Sequence, residues 1–212
     1  MLFTFVSAFL TPVIALTILN NEYLPSVIKI LKPKNKADIL AYLNLPIIII
    51  ALHFFNDWAG FHHVLNWHLL LLFSWVVATH DFIHKKIPNS YVLSFFVVWI
   101  MVTVPQMFSN IEMMLPYLRN SAFGALLGGG MFMLVYIVSR KGLGGGDVKF
   151  MTIAGLYLGV SGVLPVVLIA SILTSITGVV LILSKRMDRK GSLPFAPFLY
   201  ISIIIVMFLG GI

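Results

Sequence analysis

The sequence contains no cysteine and few charged residues. Without a thiol among its 212 residues, the chain forms no disulfide, no cysteine-based zinc site and no thiol nucleophile. Charged residues make up 10% of the chain, whereas a soluble domain has about 25%. Hydrophobic residues make up 60%, and the mean hydropathy is +1.03. We therefore predict an all-α polytopic integral membrane protein, with a single domain over residues 1–212 as the simplest interpretation.

The hydrophobic runs predict about eight transmembrane helices, because a helix needs roughly 20 apolar residues to cross a bilayer. Only the small-residue segment "GVSGVLP" separates the sixth run from the seventh, so counts of six or seven are alternatives. The first run has no basic n-region and no cleavage site of small residues, which favours a retained span over a signal peptide. The predicted helices cover residues 2–19, 39–55, 66–80, 90–107, 119–138, 148–163, 164–184 and 195–212.

Basic residues are concentrated in alternate loops between these predicted helices. With the N-terminus outside, all but one of the 14 Lys and Arg residues lie on the cytoplasmic side, and Arg119 is the exception. Cytoplasmic loops of membrane proteins are enriched in Lys and Arg, and anionic lipid headgroups favour such a face. The formal charge of +7 is thereby explained by the cytoplasmic loops and their partner, the lipid bilayer. We predict no binding to nucleic acid. Residues 20–38 are predicted to form a short basic cytoplasmic loop.

Glycines four residues apart occur in two of the predicted helices. The fifth helix contains Gly124 and Gly128, and the sixth contains Gly155 and Gly159. Such spacing lets helix backbones approach closely in a membrane, so we predict tight helix packing at both pairs.

Two of the seven acidic residues lie where a predicted helix meets the cytoplasmic membrane edge. Asp81 ends the third helix in "VVATHDFIHKKIPNS", and Asp147 begins the sixth in "GLGGGDVKF". Each has an ordinary explanation when it is taken alone. Asp147 is a good N-cap after a glycine turn, and Asp81 can be a solvated acid at the interface. Ionisable groups at a membrane are costly, however, and are candidates for function.

The two acids together suggest a specific chemistry. They lie on different helices, at one depth and on one face, and can meet in the folded bundle. Two close carboxylates do not both ionise cheaply, so the pair shares a proton, as in an aspartic protease. One carboxylate then takes a proton from the attacking water, while the other, protonated, polarises the peptide carbonyl.

The residues around Asp147 fit an extended peptide. Gly144, Gly145 and Gly146 let a substrate backbone come close, and their amides can pair with it as in strand addition. Lys149 either holds a carboxylate ionised, contacts the substrate backbone, or only marks the cytoplasmic edge. Neither the phosphate-loop pattern nor the dinucleotide fingerprint fits these glycines. No metal ligand set and no cofactor is predicted.

Three motifs, at residues 81–89, 144–149 and 192–205, resemble those of the type IV prepilin peptidases and follow the same order along the chain. "GGGDVK" matches the GxGDxK signature, "DFIHKKIPN" matches an element of Asp followed by (I/L)P(N/D), and "SLPFAPFLYISIII" resembles the (I/L)PFxPxL segment. The resemblance covers about residues 66–212. It implies Asp81 and Asp147 as the catalytic pair, at the cytoplasmic face of the bacterial inner membrane. It also implies that the substrate is a type IV prepilin or a type II secretion pseudopilin with a basic leader.

The sequence departs from many members of that family in its first loop. Those members carry paired CxxC motifs there, which bind zinc, and they also methylate the new N-terminus with S-adenosylmethionine. Here the loop over residues 20–38 is short and has no cysteine. We therefore predict peptidase activity, with methyl transfer in doubt.

Two other functions remain open at this stage. A presenilin-like intramembrane protease also pairs two aspartates, but it has YD and PAL elements where this chain has "HD" and "PFAP". A transporter or assembly scaffold can use two acids as a proton or ion relay, although transporter sites usually lie at the membrane midplane. The sequence predicts no oligomeric state. Pro88 and Asn89 are expected to break the chain after Asp81, so that it turns into the fourth helix.

Overall fold

The computed structural model describes residues 61–109, 111–139, 142–188 and 191–209. Within these ranges the protein is helical and contains no strand, which confirms the all-α prediction there. The first two predicted helices, 2–19 and 39–55, and the basic loop 20–38 lie outside the described residues. The helices are α1 (Phe61–His84), α2 (Asn89–Ser109), α3 (Ile111–Val138), α4 (Gly145–Leu183) and α5 (Ala196–Phe208).

The chain divides into two compact units, Met1–Val76 and Val77–Ile212. In the described part of the first unit, the side chains from Leu70 to Val76 are buried. The second unit contains the end of α1, the four following helices and both aspartates. The single-domain interpretation stays a prediction.

Three helices within the described ranges have the length and the apolar composition needed to cross a membrane. They are Asn89–Phe108, Met114–Val138 and Gly145–Leu183. Helix α5 is equally apolar but has 13 residues. The membrane character predicted from composition is thereby supported, while the count of eight helices stays a prediction.

Helix α4 is two helices joined at a sharp kink. Its 39 residues would extend about 58 Å as one straight helix, roughly twice the hydrocarbon thickness of a bilayer. At Gly159 the backbone has φ 64° and ψ −175°, a conformation that is essentially restricted to glycine. The next amide, Val160 N–H, donates to Asn120 Oδ1 of α3 at 3.1 Å. The break predicted in "GVSGVLP" therefore exists, but it occurs at Gly159 and not between residues 163 and 164.

Glycines bring α3 and α4 into backbone contact, as their spacing predicts. Gly124 lies against the backbones of Gly155 and Gly159, and a Cβ at Gly128 would lie 2.8 Å from the Met151 carbonyl oxygen. Close approach of this kind is a common way to hold helices together in lipid, where no hydrophobic force drives them together.

The segment "PQMFSNIEMMLPY" contains most of the gap between the predicted helices 90–107 and 119–138, and it is helical at the residues that the structure describes. Helix α2 continues to Ser109, and α3 begins at Ile111, eight residues before the predicted start at residue 119. Pro105 and Pro116 both lie inside helices. Each is close to a helix end, where a missing N–H removes a single backbone hydrogen bond, so the surrounding Met, Ile and Leu residues stay helical.

Candidate active site

Asp81 lies in the last turn of α1 with its side chain 7% exposed. Its Oδ2 accepts a hydrogen bond of 3.3 Å from the backbone N–H of Ala196, the first residue of α5. The first amides of a helix have no partner within the helix, and the helix dipole favours an anion at that end. The "PFAP" segment therefore provides a backbone donor that holds the Asp81 carboxylate.

The end of α1 is fixed by the residue that follows. Lys85 adopts a left-handed backbone conformation, with φ 50°, and its N–H donates to the Asp81 carbonyl at 2.8 Å. A residue in this conformation is a common stop for a helix. It turns the chain toward Pro88, and α2 begins at Asn89, as the sequence predicts.

Asp147 is the third residue of α4 and is 9% exposed. Its Oδ2 accepts a hydrogen bond of 3.2 Å from the N–H of Gly144, which is the N-cap residue of the helix. Asp147 is therefore not the N-cap residue itself, because the helix starts two residues before it, but its side chain does cap the helix from the third position. The other oxygen, Oδ1, is buried and has no hydrogen-bond partner among the described residues. It can accept a hydrogen bond from a water or a substrate group.

Both aspartates are buried and lie in the second unit, and their carboxyl groups are within electrostatic range of each other. Burial strengthens this interaction, because a low dielectric screens charge weakly. The arrangement presents the buried Asp147 Oδ1 as a hydrogen-bond acceptor for a bound molecule.

A loop of four residues, Lys85–Pro88, connects α1 to α2 beside the aspartates. His80 Nδ1 donates to the Lys86 carbonyl oxygen at 2.6 Å, and the His80 ring stacks on His84 with ring centroids 4.3 Å apart. Directly after the loop, Lys149 Nζ donates to Oδ1 of Asn89, the first residue of α2, at 2.8 Å. The loop is thus attached to both helices that bear the acids.

The three glycines before Asp147 have different surroundings. A Cβ at Gly146 would lie 2.9 Å from the Cβ of Ile87, so this glycine makes room for the loop. At Gly145 the nearest atom to an added Cβ is Tyr136 Cε2 at 3.9 Å, and the residue is exposed. Gly144 gives its N–H to Asp147. Open space beside the chain therefore remains at Gly145.

Sequence reasoning missed the contacts made by Ala196, Ile87 and Asn89. All three lie in the motifs "PFAP" and "IPN" that carry the family resemblance, so the motifs were a signal. Their partners were not predictable, because the bond from Ala196 to Asp81 joins residues 115 positions apart. Of the histidines, His62 and His63 have no described side chains, and His68 lies in the first unit.

Comparison with known proteins identifies relatives of this site. The family described as "Type IV leader peptidase family" matches residues 68–179, which include both aspartates. The prepilin leader peptidase/N-methyltransferase of Xanthomonas campestris pv. campestris is 26% identical over 162 residues, covering 72% of this chain and 51% of that protein. The enzyme of the same name from Legionella pneumophila is 29% identical over 158 residues, covering 68% and 54%.

A third protein with that name, from Stutzerimonas stutzeri, is 23% identical over 168 residues, covering 74% of this chain and 55% of its own length. The chain therefore spans about half the length of these curated relatives. No solved structure matches the chain.

Proposed function

Because the chain belongs to the type IV leader peptidase family, we propose that it is a membrane aspartic endopeptidase. Its substrates in this proposal are type IV prepilins or type II secretion pseudopilins, from which it removes the basic leader. The observation that carries the proposal is that Asp81 and Asp147 are both buried and within electrostatic range of each other, and that Asp147 Oδ1 has no hydrogen-bond partner among the described residues. This oxygen is where a water or a peptide group is expected to bind.

The proposed reaction uses the two carboxyl groups in turn. One carboxylate accepts a proton from a water molecule as the water oxygen attacks the scissile carbonyl carbon. The other carboxyl group, protonated, donates a hydrogen bond to the carbonyl oxygen. The tetrahedral intermediate then collapses, the C–N bond breaks, and a proton passes to the leaving amine. The products are a carboxylate on the leader and a free amine on the mature protein.

The substrate backbone is proposed to lie beside Gly144 and Gly145. An added Cβ at Gly145 would have no neighbour closer than 3.9 Å, so an extended peptide can approach the backbone there. The Gly145 amide is a candidate for pairing with it in the manner of an added strand, whereas the Gly144 N–H already donates to Asp147 Oδ2. The role proposed for Gly146 is different, because its space is taken by Ile87.

The proposed location is the bacterial inner membrane, with the site at the cytoplasmic face and the N-terminus outside. Lys85, Lys149 and Lys185 support this orientation, since all three are exposed and lie at helix ends near the site or after α4. Lys and Arg are retained on the cytoplasmic side. The reaction proposed is hydrolysis, without a cofactor. Methyl transfer is not part of the proposal, because the chain has no cysteine for the zinc-binding motifs that accompany it in many members of the family.

The test is cleavage of a prepilin with its leader by the purified protein in detergent, followed by intact mass. Wild type is expected to shorten the substrate by the mass of the leader. Asp81→Asn and Asp147→Asn each remove a proton-transfer group and are expected to lower the rate by about 10²- to 10⁴-fold. Asp188→Asn is the matched control, since Asp188 is an exposed acid beyond α4.

Two outcomes contradict the proposal: equal cleavage by all four proteins, or no cleavage of several prepilins by wild type. The relay alternative predicts a function that depends on membrane potential or a pH gradient, which detergent abolishes. The family match favours prepilin processing over the presenilin-like alternative.

A further inference from the structure

We propose that Lys149 and Asn89 are positioning residues for the aspartate pair. Their hydrogen bond fixes the chain that follows Asp81 to the first turns of α4, and so sets the separation of the two carboxyl groups. The inference rests on the proposed function, because it concerns the same pair of acids. It gives Lys149 a role that involves neither the substrate nor a carboxylate directly.

The first observation is where the Lys149 ammonium lies. Its Nζ is 2.8 Å from Asn89 Oδ1, within the range of a charge-assisted hydrogen bond, which is stronger than a neutral one. Lys149 follows Asp147 by two residues, and Asn89 follows Asp81 by eight. The bond therefore joins the two segments that carry the acids, at a point close to both.

The second observation is that the same loop is held at two other points. Near its start, Lys86 presents its carbonyl oxygen to His80 Nδ1 at 2.6 Å. In its middle, Ile87 is buried and lies in the space left by Gly146. With Lys149 holding its end, the loop cannot shift relative to α4 without losing at least one of these contacts. The ends of α1 and α4 are thereby kept in one arrangement.

A direct role for Lys149 makes a different prediction. If the ammonium contacted the substrate backbone, Asn89 would be dispensable, and loss of Lys149 would mainly raise KM. If it acts only through Asn89, removing either partner has the same effect, and removing both is no worse than removing one. Two residues that act through a single bond are not additive in a double-mutant cycle.

The kinetic experiment compares Lys149→Met, Asn89→Ala and the double variant in the prepilin cleavage assay. Each is expected to lower kcat by roughly 10- to 100-fold, the effect of a small misplacement of catalytic groups, with KM within about twofold. The kcat of the double variant is expected to equal that of the less active single variant. Asn89→Asp keeps an acceptor for the ammonium and is expected to retain most of the activity.

Arg186→Gln is the control for loss of positive charge, because Arg186 is exposed and lies after α4. It is expected to behave as wild type. Multiplied losses in the double variant, or wild-type activity of Asn89→Ala, would overturn the inference. A rise in KM with unchanged kcat for Lys149→Met would do the same.

A second readout needs no substrate, because the chain has no cysteine of its own. Cysteines placed at both aspartate positions, Asp81→Cys and Asp147→Cys, are cross-linked in membranes with a short bifunctional thiol reagent. Adding Lys149→Met is expected to slow cross-linking severalfold, while adding Arg186→Gln leaves the rate unchanged.

An equal rate with and without Lys149 would overturn the positioning role, whatever the cleavage assay gives. Wild-type protein that cleaves no prepilin contradicts the proposed function alone. The two failures are therefore seen in separate measurements.

Discussion

Gly145 and Gly146 are adjacent at the start of α4, yet an added methyl group would collide with a neighbour at one position and meet open space at the other. A methyl group at Gly146 would lie 2.9 Å from Ile87 Cβ, a branched carbon close to the backbone, so the whole loop after Asp81 would have to move. At Gly145 the same methyl group meets open space, with its nearest neighbour at 3.9 Å. Stability at this site therefore depends on one glycine and not on the run.

Gly146→Ala is expected to lower the free energy of unfolding by about 1–3 kcal/mol, the usual cost of overpacking. Gly145→Ala is expected to leave it unchanged or raise it by up to about 1 kcal/mol, since alanine favours helix over glycine. The measurement is the apparent Tm of each variant in detergent. Equal destabilisation by the two substitutions would contradict the packing of Ile87 on Gly146.

At the scale of single residues, the sequence makes the two acids stand out, but it does not predict which groups contact them or their surroundings. Asp81 and Asp147 are conspicuous because the chain has only seven acidic residues, and ionisable groups close to the membrane are candidates for function. The amide of Ala196 and the side chain of Ile87 carry no such signal, since any residue supplies a backbone N–H and isoleucine is common in this chain. The sequence draws attention to the two acids and leaves open what positions them; their catalytic role stays a prediction.

At the scale of the helix, α4 depends on the kink at Gly159. The φ of 64° excludes a side chain on conformational grounds, and Asn120 occupies the space where a Cβ would lie. Asn120 also accepts the hydrogen bond from Val160 N–H, which the kink releases from the helix. In lipid an unpaired N–H is costly. Gly159 allows the kink, and Asn120 supplies the acceptor for the N–H that the kink releases.

Gly159→Ala is expected to destabilise the protein by about 1–3 kcal/mol, the cost of a residue forced into a sparsely populated conformation. Gly178→Ala in the same helix is the matched control, because a Cβ there has no neighbour within 4 Å. It is expected to be neutral or slightly stabilising. The comparison uses apparent Tm, and a neutral Gly159→Ala would show that the kink is not fixed by this glycine.

The predicted helix starts agree with the structure best where a proline lies beside the start. The predicted starts at residues 90 and 195 are each within one residue of Asn89 and Ala196, and a proline lies next to each start. By contrast, residues 61–65 and 111–118 are already helical ahead of the predicted starts at residues 66 and 119. Hydropathy detects the apolar part of a helix, whereas α3 continues through Arg119 and Asn120 without leaving the helical conformation.

For the whole molecule, the number of crossings depends on whether α4 passes the membrane once or twice. Its length exceeds what one crossing needs, and Gly159 divides it. The predicted topology places Glu112 outside and Asp188 inside. Between them lie α3 and both parts of α4, so Asp188 is inside only if α4 crosses twice.

Single cysteines at these two positions test that arrangement in a chain without other thiols. Glu112 and Asp188 are both exposed. We expect Glu112→Cys to react with a membrane-impermeant thiol reagent in intact cells, and Asp188→Cys to react only after permeabilisation. Labelling of both from outside would mean a single crossing by α4 and would make the prediction of eight helices wrong.

The bond between Ala196 and Asp81 also bears on the order of events during synthesis. Both acids have been synthesised once residue 147 is added, and the matched family region ends at residue 179. The amide that holds Asp81 belongs to a residue made later. Until that residue arrives, a nascent chain carries two carboxylates in the membrane without the donor that fixes one of them. Completion of the surroundings of the two aspartates is therefore coupled to translation beyond Asp147.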